Sequence, residues 1–371
     1  MKPIKTFLRP ILINLSLLLG SICITLLVGE VTLRIIAHFD LNYLDNLVSK
    51  KQLVEARDDQ MGDIVRLHSD NRIVYELRPH TKGIFIGQHI SINSLGMRDK
   101  ERSLEKSPGT FRILALGDSH TFGWGVGQEE TWPAVFEDML LKYDPKRKFE
   151  VLNLGVPGYN AVQEIQVFST KAEALKPDLV IINYCNNDMD LPNFLANPPD
   201  PLSLSTSYLW DFIDRRIELL RGNFINPLGL TVMPVDDATK RFRMPVERIP
   251  ERFRPLYGWD NMLDAYRRMA ELCQKMGIPY VFLLNFNDYR FRLHGSTPTV
   301  VPRYVRELVI QLQEEGYLVV DPQDRIFDYL QQNGLDHTAI WIKKKDSHSN
   351  AIRHRFLAEE VFAQLEKANL L

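Results

Sequence analysis

Hydrophobic and polar positions follow two regimes along the chain. From Ile11 to Val28 the residues read ILINLSLLLGSICITLLV, an apolar run without a single charge. Those 18 residues make a helix roughly 27 Å long at about 1.5 Å each, near the thickness of a bilayer core. Lys2, Lys5 and Arg9 precede the run, and Glu30 and Arg34 follow it. Clustered positive charge before a span predicts a cytoplasmic N-terminus, with everything after Glu30 on the far side. A cleaved secretory signal and a buried helix of a soluble domain are the competing readings. The run is long for a signal, no Ala-x-Ala site follows it, and Ile22 precedes Cys23 where lipoprotein processing wants a small residue. The expectation is one uncleaved anchor within residues 1–40, contacting the lipid bilayer through Ile11–Val28.

From residue 111 the pattern alternates between short apolar runs and helical periodicity. Phe111–Gly117 (FRILALG) reads as a buried strand stopped by glycine, and Trp132–Tyr143 as a helix with Trp132, Val135, Phe136, Met139 and Leu140 on one face. Phe149–Leu154, Asp178–Tyr184, Tyr280–Asn285 and Tyr317–Val320 read as strands. Val162–Leu175, Asn261–Met276, Val301–Glu315, Ile326–Gln332 and Asn350–Ala368 read as helices. Strands alternating with helices predict an α/β fold with a mostly parallel sheet covered on both faces.

Two regions break the alternation. Residues 41–110 are mixed and polar, punctuated by Pro79, Gly83, Gly87, Gly96 and Pro108, with strand-like pieces such as Gly83–Ile92. They read as a juxtamembrane linker and lead-in packing on a main domain at 111–371. Residues 189–259 are rich in proline and carry one amphipathic stretch, Tyr208–Leu220. They read as an insertion whose Leu209, Trp210, Phe212 and Ile213 either line an apolar pocket or simply pack.

Composition changes this picture little. The chain has 371 residues, 45 Lys+Arg and 47 Asp+Glu, giving a net charge of -2 that argues against a strongly basic nucleic-acid binder. Of the 3 cysteines, Cys23 lies in the apolar span. Cys185 and Cys273 suit one disulfide in an oxidising compartment or two buried thiols.

In open α/β sheets ligands bind outside the carboxyl ends of the strands, so each strand exit is a candidate. The first reads Gly117-Asp118-Ser119-His120-Thr121. It sets a hydroxyl at the crevice beside a helix N-terminus; the alternative is an ordinary N-cap. The second, Asn153-Leu154-Gly155-Val156-Pro157-Gly158-Tyr159-Asn160, permits a tight turn with exposed backbone N–H groups. The third, Cys185-Asn186-Asn187-Asp188, offers side-chain amides that donate to an oxyanion or cap a helix. Before the closing helix stands Asp346-Ser347-His348, a carboxylate able to orient an imidazole base. Nucleophile, orienter, base and oxyanion donors thus share one crevice.

Rival motifs fail. No Gly-Lys-Ser/Thr of a P-loop follows Gly117 or Gly123, Thr121 stands where a Gly-x-Ser-x-Gly elbow needs glycine, and Gly123-Trp124-Gly125-Val126-Gly127 lacks dinucleotide spacing. A metal site from Asp336, His337, Asp346, His348 and His354 would lack the helical His-x-x-x-His spacing and face Lys343, Lys344 and Lys345. Neither a metal nor a cofactor is expected.

These blocks resemble the SGNH (GDSL) hydrolase superfamily over about residue 70 to the end, and Asn93-Ser94-Leu95-Gly96-Met97-Arg98 is similar to its membrane-anchored bacterial members. The resemblance implies a three-layer α/β/α, flavodoxin-like fold behind one transmembrane helix. It implies Ser119 as nucleophile, His348 as base and Asp346 as its orienting acid, with Asp336 a substitute. The oxyanion donors it implies are the Ser119 and Gly158 N–H groups and the Asn187 amide. Two departures stand out: Cys185 replaces the glycine of the third block, and Asp-x-His replaces the commoner Asp-x-x-His.

The implied activity is a membrane-anchored extracytoplasmic serine esterase or acylhydrolase, on the periplasmic or cell-surface side of a bacterial inner membrane. Its substrate is a small-molecule or polymer-linked ester, with acylated envelope glycans or lipids fitting the location. An O-acyltransferase using the same triad and an inactive membrane-tethered scaffold are the alternatives. No nucleic-acid partner is implied, and no protein partner is identified.

Overall fold

The N-terminal apolar run lies inside one continuous helix, α1 (Ile4–Phe39). The computed structural model describes residues 4–39, 55–56, 61–192, 195–196, 207–210, 212–213, 217, 230–231, 251–285, 303–344 and 346–371. The chain divides into two compact units, Met1–Gln52 with Ala196–Thr231, and Leu53–Leu195 with Val232–Leu371.

In the first unit, Leu12–Ile36 spans 25 residues at a mean hydropathy of 2.2, long and apolar enough to cross a membrane. Nearer the end of the helix, Leu33 and Ile36 pack with Tyr208, Leu209 and Phe212. The Glu30 carboxylate accepts hydrogen bonds from Ser207 Oγ at 2.9 Å and from the backbone N–H groups of Tyr208 and Leu209 at 3.1 and 2.8 Å. Arg34 pairs with Glu30 at 2.7 Å and sits over the Tyr208 ring. Leu209 and Phe212 therefore pack on α1. Much of the expected insertion at 189–259, including most of Tyr208–Leu220, falls outside the described residues.

Early in the second unit, β1 (Val65–Leu67) pairs antiparallel with β2 (Tyr75–Leu77), and β3 (Lys82–Phe85) pairs antiparallel with β4 (Gln88–Ser91) and, along its other edge, in parallel with the short strand Glu55–Ala56. The Gly83–Ile92 stretch, expected as one extended piece, is thus a hairpin. Its turn residues Ile86 and Gly87 both take positive φ, 50° and 70°, as a two-residue hairpin turn matched to strand twist requires.

The main chain then alternates: β5 (Thr110–Gly117), α2 (Ser119–Phe122), α3 (Trp132–Tyr143), β6 (Lys148–Asn153), α4 (Ala161–Leu175), β7 (Leu179–Tyr184), α5 (Trp259–Met276), β8 (Tyr280–Leu284), α6 (Arg303–Glu314), β9 (Leu318–Val320) and α7 (Gln323–Gln332). The hairpin β10 (Trp341–Lys343)/β11 (Asp346–Ser349) and the closing helix α8 (Ala351–Lys367) complete it. Five strands form a wholly parallel sheet in the order β9-β8-β7-β5-β6. Read from β6, the sequence order is 2-1-3-4-5, the flavodoxin-like arrangement, so the expected three-layer α/β fold is present.

Side-chain alternation along the strands divides the core. Ile113, Ala115, Leu179, Ile181, Val281 and Leu283 form one apolar layer with Trp132, Phe136 and Leu140 of α3 and Leu357, Val361 and Leu365 of α8. Helices α4 and α5 pack together on the other face, where Tyr266 meets Phe282 edge-on at 5.3 Å. Connections diverge on either side of β5, which makes the carboxyl ends of β5, β6 and β7 the switch point where such sheets bind ligands.

That switch point needs backbones in close contact. A Cβ added at Gly155, just past β6, would lie 2.2 Å from the Phe122 nitrogen and 2.6 Å from the Thr121 carbonyl carbon. Both obstacles are backbone of α2 and have little room to retreat. Gly155→Ala should therefore lower stability by about 1–3 kcal/mol, as over-packing does. A thermal midpoint unchanged from wild type would contradict this close approach.

Candidate active site

Each strand exit delivers one group to the switch point. At the end of β5, Asp118 caps α2: its Oδ1 accepts the His120 N–H at 2.8 Å, leaving Ser119 as the first helical residue. The helix is a single turn, and its far end is held from outside. The buried guanidinium of Arg98 donates to the carbonyls of Phe122 at 3.0 Å, Val126 at 2.6 Å and Gly123. Burial pulls the Arg98 pKa down to about 10, which still leaves a cation facing the carbonyl end of the helix. Beneath, Thr121 Oγ1 takes donors from Asn183 at 3.0 Å and Trp132 at 3.3 Å.

Ser119 Oγ lies 2.9 Å from His348 Nε2, and His348 Nδ1 lies 2.5 Å from Asp346 Oδ1. The three residues form an unbroken chain. An ionised carboxylate only accepts, so the proton shared with Asp346 sits on Nδ1 and leaves Nε2 to accept from the serine. The His348 bond, ahead of every other cause, holds the Asp346 carboxyl below the usual range. The short Asp-x-His spacing has a geometric reason. Both residues lie on strand β11, where positions i and i+2 project from the same side, so the acid reaches the ring of the second residue. Asp336 does not join them: it is exposed and accepts from the N–H and hydroxyl of Thr338 at 2.8 and 2.6 Å.

The second exit forms a turn in which Gly158 adopts φ 78°, a left-handed conformation that favours glycine. Its neighbours are tied down. Tyr75 donates its hydroxyl to the Pro157 carbonyl at 2.8 Å, and Tyr159 donates its hydroxyl to the Tyr75 carbonyl. Among the described residues, neither the Ser119 N–H nor the Gly158 N–H has a protein acceptor. Asn187, at the third exit, donates its amide to the Tyr159 carbonyl at 3.0 Å.

The imidazole has two aromatic neighbours that reading the strand exits overlooks. The Trp124 indole stacks on it with centroids 4.9 Å apart and an interplanar angle of 18°, and the His120 ring stands 5.0 Å away at 30°. Trp124 Nε1 also donates to Asp346 Oδ2 at 3.3 Å. Burial, and then the nearby charge of His348, hold the His120 pKa well below its ordinary value, so it stays neutral. In sequence, Trp124 between two glycines was visible, but nothing there says which ring it meets.

The site is acidic underneath. Burial, ahead of all other causes, raises the carboxyls of Asp118, Glu164 and Asp188 above their ordinary range. Tyr266 donates its hydroxyl to Asp188 at 2.6 Å, whereas both Glu164 oxygens are buried without a hydrogen-bond partner among the described residues. Cys185 and Cys273 are buried thiols that form no disulfide among the described residues, and burial raises the Cys273 thiol to about 12. The metal-type side chains noted at 336–354 are otherwise engaged: His337 meets Trp341 edge-on, and buried His354 accepts the Trp132 N–H through Nδ1. Asp118, His120 and Cys185 do place one donor atom each within 4.8 Å of one another. However, Asp118 Oδ1 is already engaged by the His120 N–H at 2.8 Å.

A family model described as GDSL-like Lipase/Acylhydrolase family matches residues 115–344. An arylesterase of Vibrio mimicus is 24% identical over 174 residues, covering 47% of this chain and 72% of the relative. Among solved structures, the chain is similar to an acetylxylan esterase from Geobacillus stearothermophilus at 15% identity, with coverage of 69% and 94% and a TM-score of 0.39. It is also similar to a psychrotrophic esterase from Pseudoalteromonas sp. at 14% identity, with coverage of 70% and 98% and a TM-score of 0.37.

The acidic floor predicts a pH dependence of stability. A carboxyl whose pKa is raised by folding contributes fully below its unfolded value of 4.5, and that contribution is lost as pH rises toward the folded value. Glu164→Gln keeps a neutral polar group and removes the titration. Its thermal midpoint should gain on that of wild type as pH rises from about 5 to about 8. A difference that stays constant across that range would contradict the assignment.

Proposed function

Because the chain belongs to the GDSL-like lipase/acylhydrolase family, we propose that it hydrolyses esters through a covalent acyl-serine formed on Ser119. As a member of this family, it is an ester-hydrolysing enzyme. The observation that carries the proposed route is the continuous path from Ser119 Oγ through His348 to Asp346, at 2.9 and 2.5 Å.

In the first half-reaction, His348 Nε2 takes the Ser119 proton as Oγ bonds to the ester carbonyl carbon, and the carbonyl π pair moves to oxygen. Asp346 keeps the second imidazole proton on Nδ1 and balances the charge of the imidazolium. The oxyanion is held by the Ser119 and Gly158 N–H groups, neither of which donates elsewhere among the described residues. Asn187 joins them through the second hydrogen of its amide, the first being held by the Tyr159 carbonyl. Collapse expels the alcohol, which leaves with the proton held on Nε2. Water then attacks the acyl carbon as His348 Nε2 takes its proton; the acyl–Oγ bond breaks, that proton passes to Ser119 Oγ, and the acid is released.

The location follows from the N-terminal helix. In this proposal Ile11–Val28 anchors the protein, residues 41–110 lead from the membrane into the catalytic domain, and residues 189–259 are inserted within it. The domain works on the extracytoplasmic side of a bacterial inner membrane, where acylated glycans or lipids of the envelope are the ester substrates in reach. Positive charge at Lys2, Lys5 and Arg9 supports that orientation.

Hydrolysis of an activated acetyl or butyryl ester by the purified protein tests the chemistry. Ser119→Ala should remove nearly all turnover, and Asn187→Ala should lower kcat by about a hundred- to a thousandfold. Wild-type rates in purified Ser119→Ala would overturn the scheme. Protease added outside spheroplasts should digest the chain beyond residue 40; full protection of an intact chain would overturn the orientation.

A further inference from the structure

Asp346 and His348 stand on a short two-stranded hairpin, β10/β11, which is separate from the parallel sheet. Something must fix the carboxylate against rotation and the imidazole against tilting. His348 itself supplies two donors to Asp346 Oδ1, its Nδ1–H at 2.5 Å and its backbone N–H at 3.2 Å. The second oxygen receives the Trp124 indole N–H at 3.3 Å. The same indole lies nearly parallel to the imidazole at 4.9 Å. One side chain therefore touches both members of the pair, by different means.

Trp124 is itself seated. Phe85, buried at the end of β3 in the lead-in, meets its ring edge-on at 5.2 Å and also meets Phe122 at 6.0 Å. The backbone beside it is confined as well: a Cβ added at the next residue, Gly125, would lie 3.1 Å from the Ile342 side chain of β10. Such contacts restrict where the indole can go, so the ring stays where both partners need it.

We propose that Trp124 is a positioning residue for the Asp346–His348 pair: its indole N–H fixes the carboxylate, and its π face orients the imidazole and attracts it once protonated. This rests on the reading of Ser119 and His348 as nucleophile and base. When the Ser119 proton passes to Nε2, the ring becomes an imidazolium facing an aromatic surface, a cation–π contact the neutral ring lacks. Stabilisation that grows with charge development raises kcat and leaves substrate binding unchanged. Phe85 carries the same restraint into the lead-in, so the segment that follows the membrane helix in sequence helps to hold the base.

Two substitutions separate the parts. Trp124→Phe keeps a stacking ring and loses the N–H; Trp124→Leu loses both. With purified full-length protein in detergent and an activated butyryl ester, kcat should fall about tenfold for Trp124→Phe, the loss of one charge-assisted hydrogen bond. It should fall about a hundredfold for Trp124→Leu, as a misplaced base does. KM should stay within about twofold of wild type in both variants, because Trp124 acts on the base and not on substrate binding.

Nitrogen NMR of histidine-labelled protein supplies a readout that does not depend on activity. The His348 ring should be protonated on Nδ1 in wild type and Trp124→Phe, and should populate the other tautomer in Trp124→Leu. Wild-type kcat in Trp124→Leu, or a lost kcat in that same variant with the His348 tautomer unchanged, would overturn the inference. Should wild type lack Ser119-dependent turnover, the functional reading fails, and the tautomer comparison alone still decides the role of Trp124.

Discussion

One contact organises the molecule: the 2.9 Å hydrogen bond between Ser119 and His348, whose residues stand 229 positions apart in the chain. No local preference can create it. The serine is brought by an interior strand of a parallel sheet and the histidine by a separate hairpin before the closing helix. Every surrounding feature limits the freedom of one of these two side chains. Asp118 starts the serine's helix, Arg98 closes it, and Gly155 lets a neighbouring backbone press against it. On the other side, Asp346 and Trp124 constrain the imidazole.

The lead-in is part of this arrangement and not merely a connector. Tyr75 bonds the carbonyl of Pro157 and accepts from the Tyr159 hydroxyl, which fixes the turn carrying Gly158. Phe85 buttresses Trp124, and Arg98 grips the end of the Ser119 helix. Three residues of the lead-in thus reach the Gly158 turn, the ring beside His348 and the helix that carries Ser119. A buried arginine that donates to several carbonyls is costly to leave unpaired, so loss of this segment would disturb the site well beyond the segment itself.

Much of this was legible in the sequence because parallel sheets write themselves plainly. Buried strands such as Phe111–Gly117 are continuous apolar runs, and helices such as Trp132–Tyr143 repeat their apolar residues every turn. The residues at the strand exits could then be placed by topology alone. The lead-in was harder, since β1 to β4 are three or four residues long and carry too little periodicity. The turn at Ile86 and Gly87 was hidden because a β-branched residue rarely adopts positive φ. Trp124 was missed for a different reason: its importance lies in which rings it meets, and ring contacts between distant segments leave no mark in local spacing. Asp-x-His was read first as a carboxylate beside an imidazole and then from resemblance, and its extended backbone supplies the reason that so short a spacing suffices.

The central claim is that Ser119 is the activated nucleophile of a charge-linked triad. Mass spectrometry of the intact protein after exposure to a serine-reactive fluorophosphonate tests it most directly. The account predicts one adduct per chain, carried on Ser119, absent in Ser119→Ala and strongly slowed in His348→Ala. An unlabelled wild-type protein, or an adduct on any other residue, would contradict it.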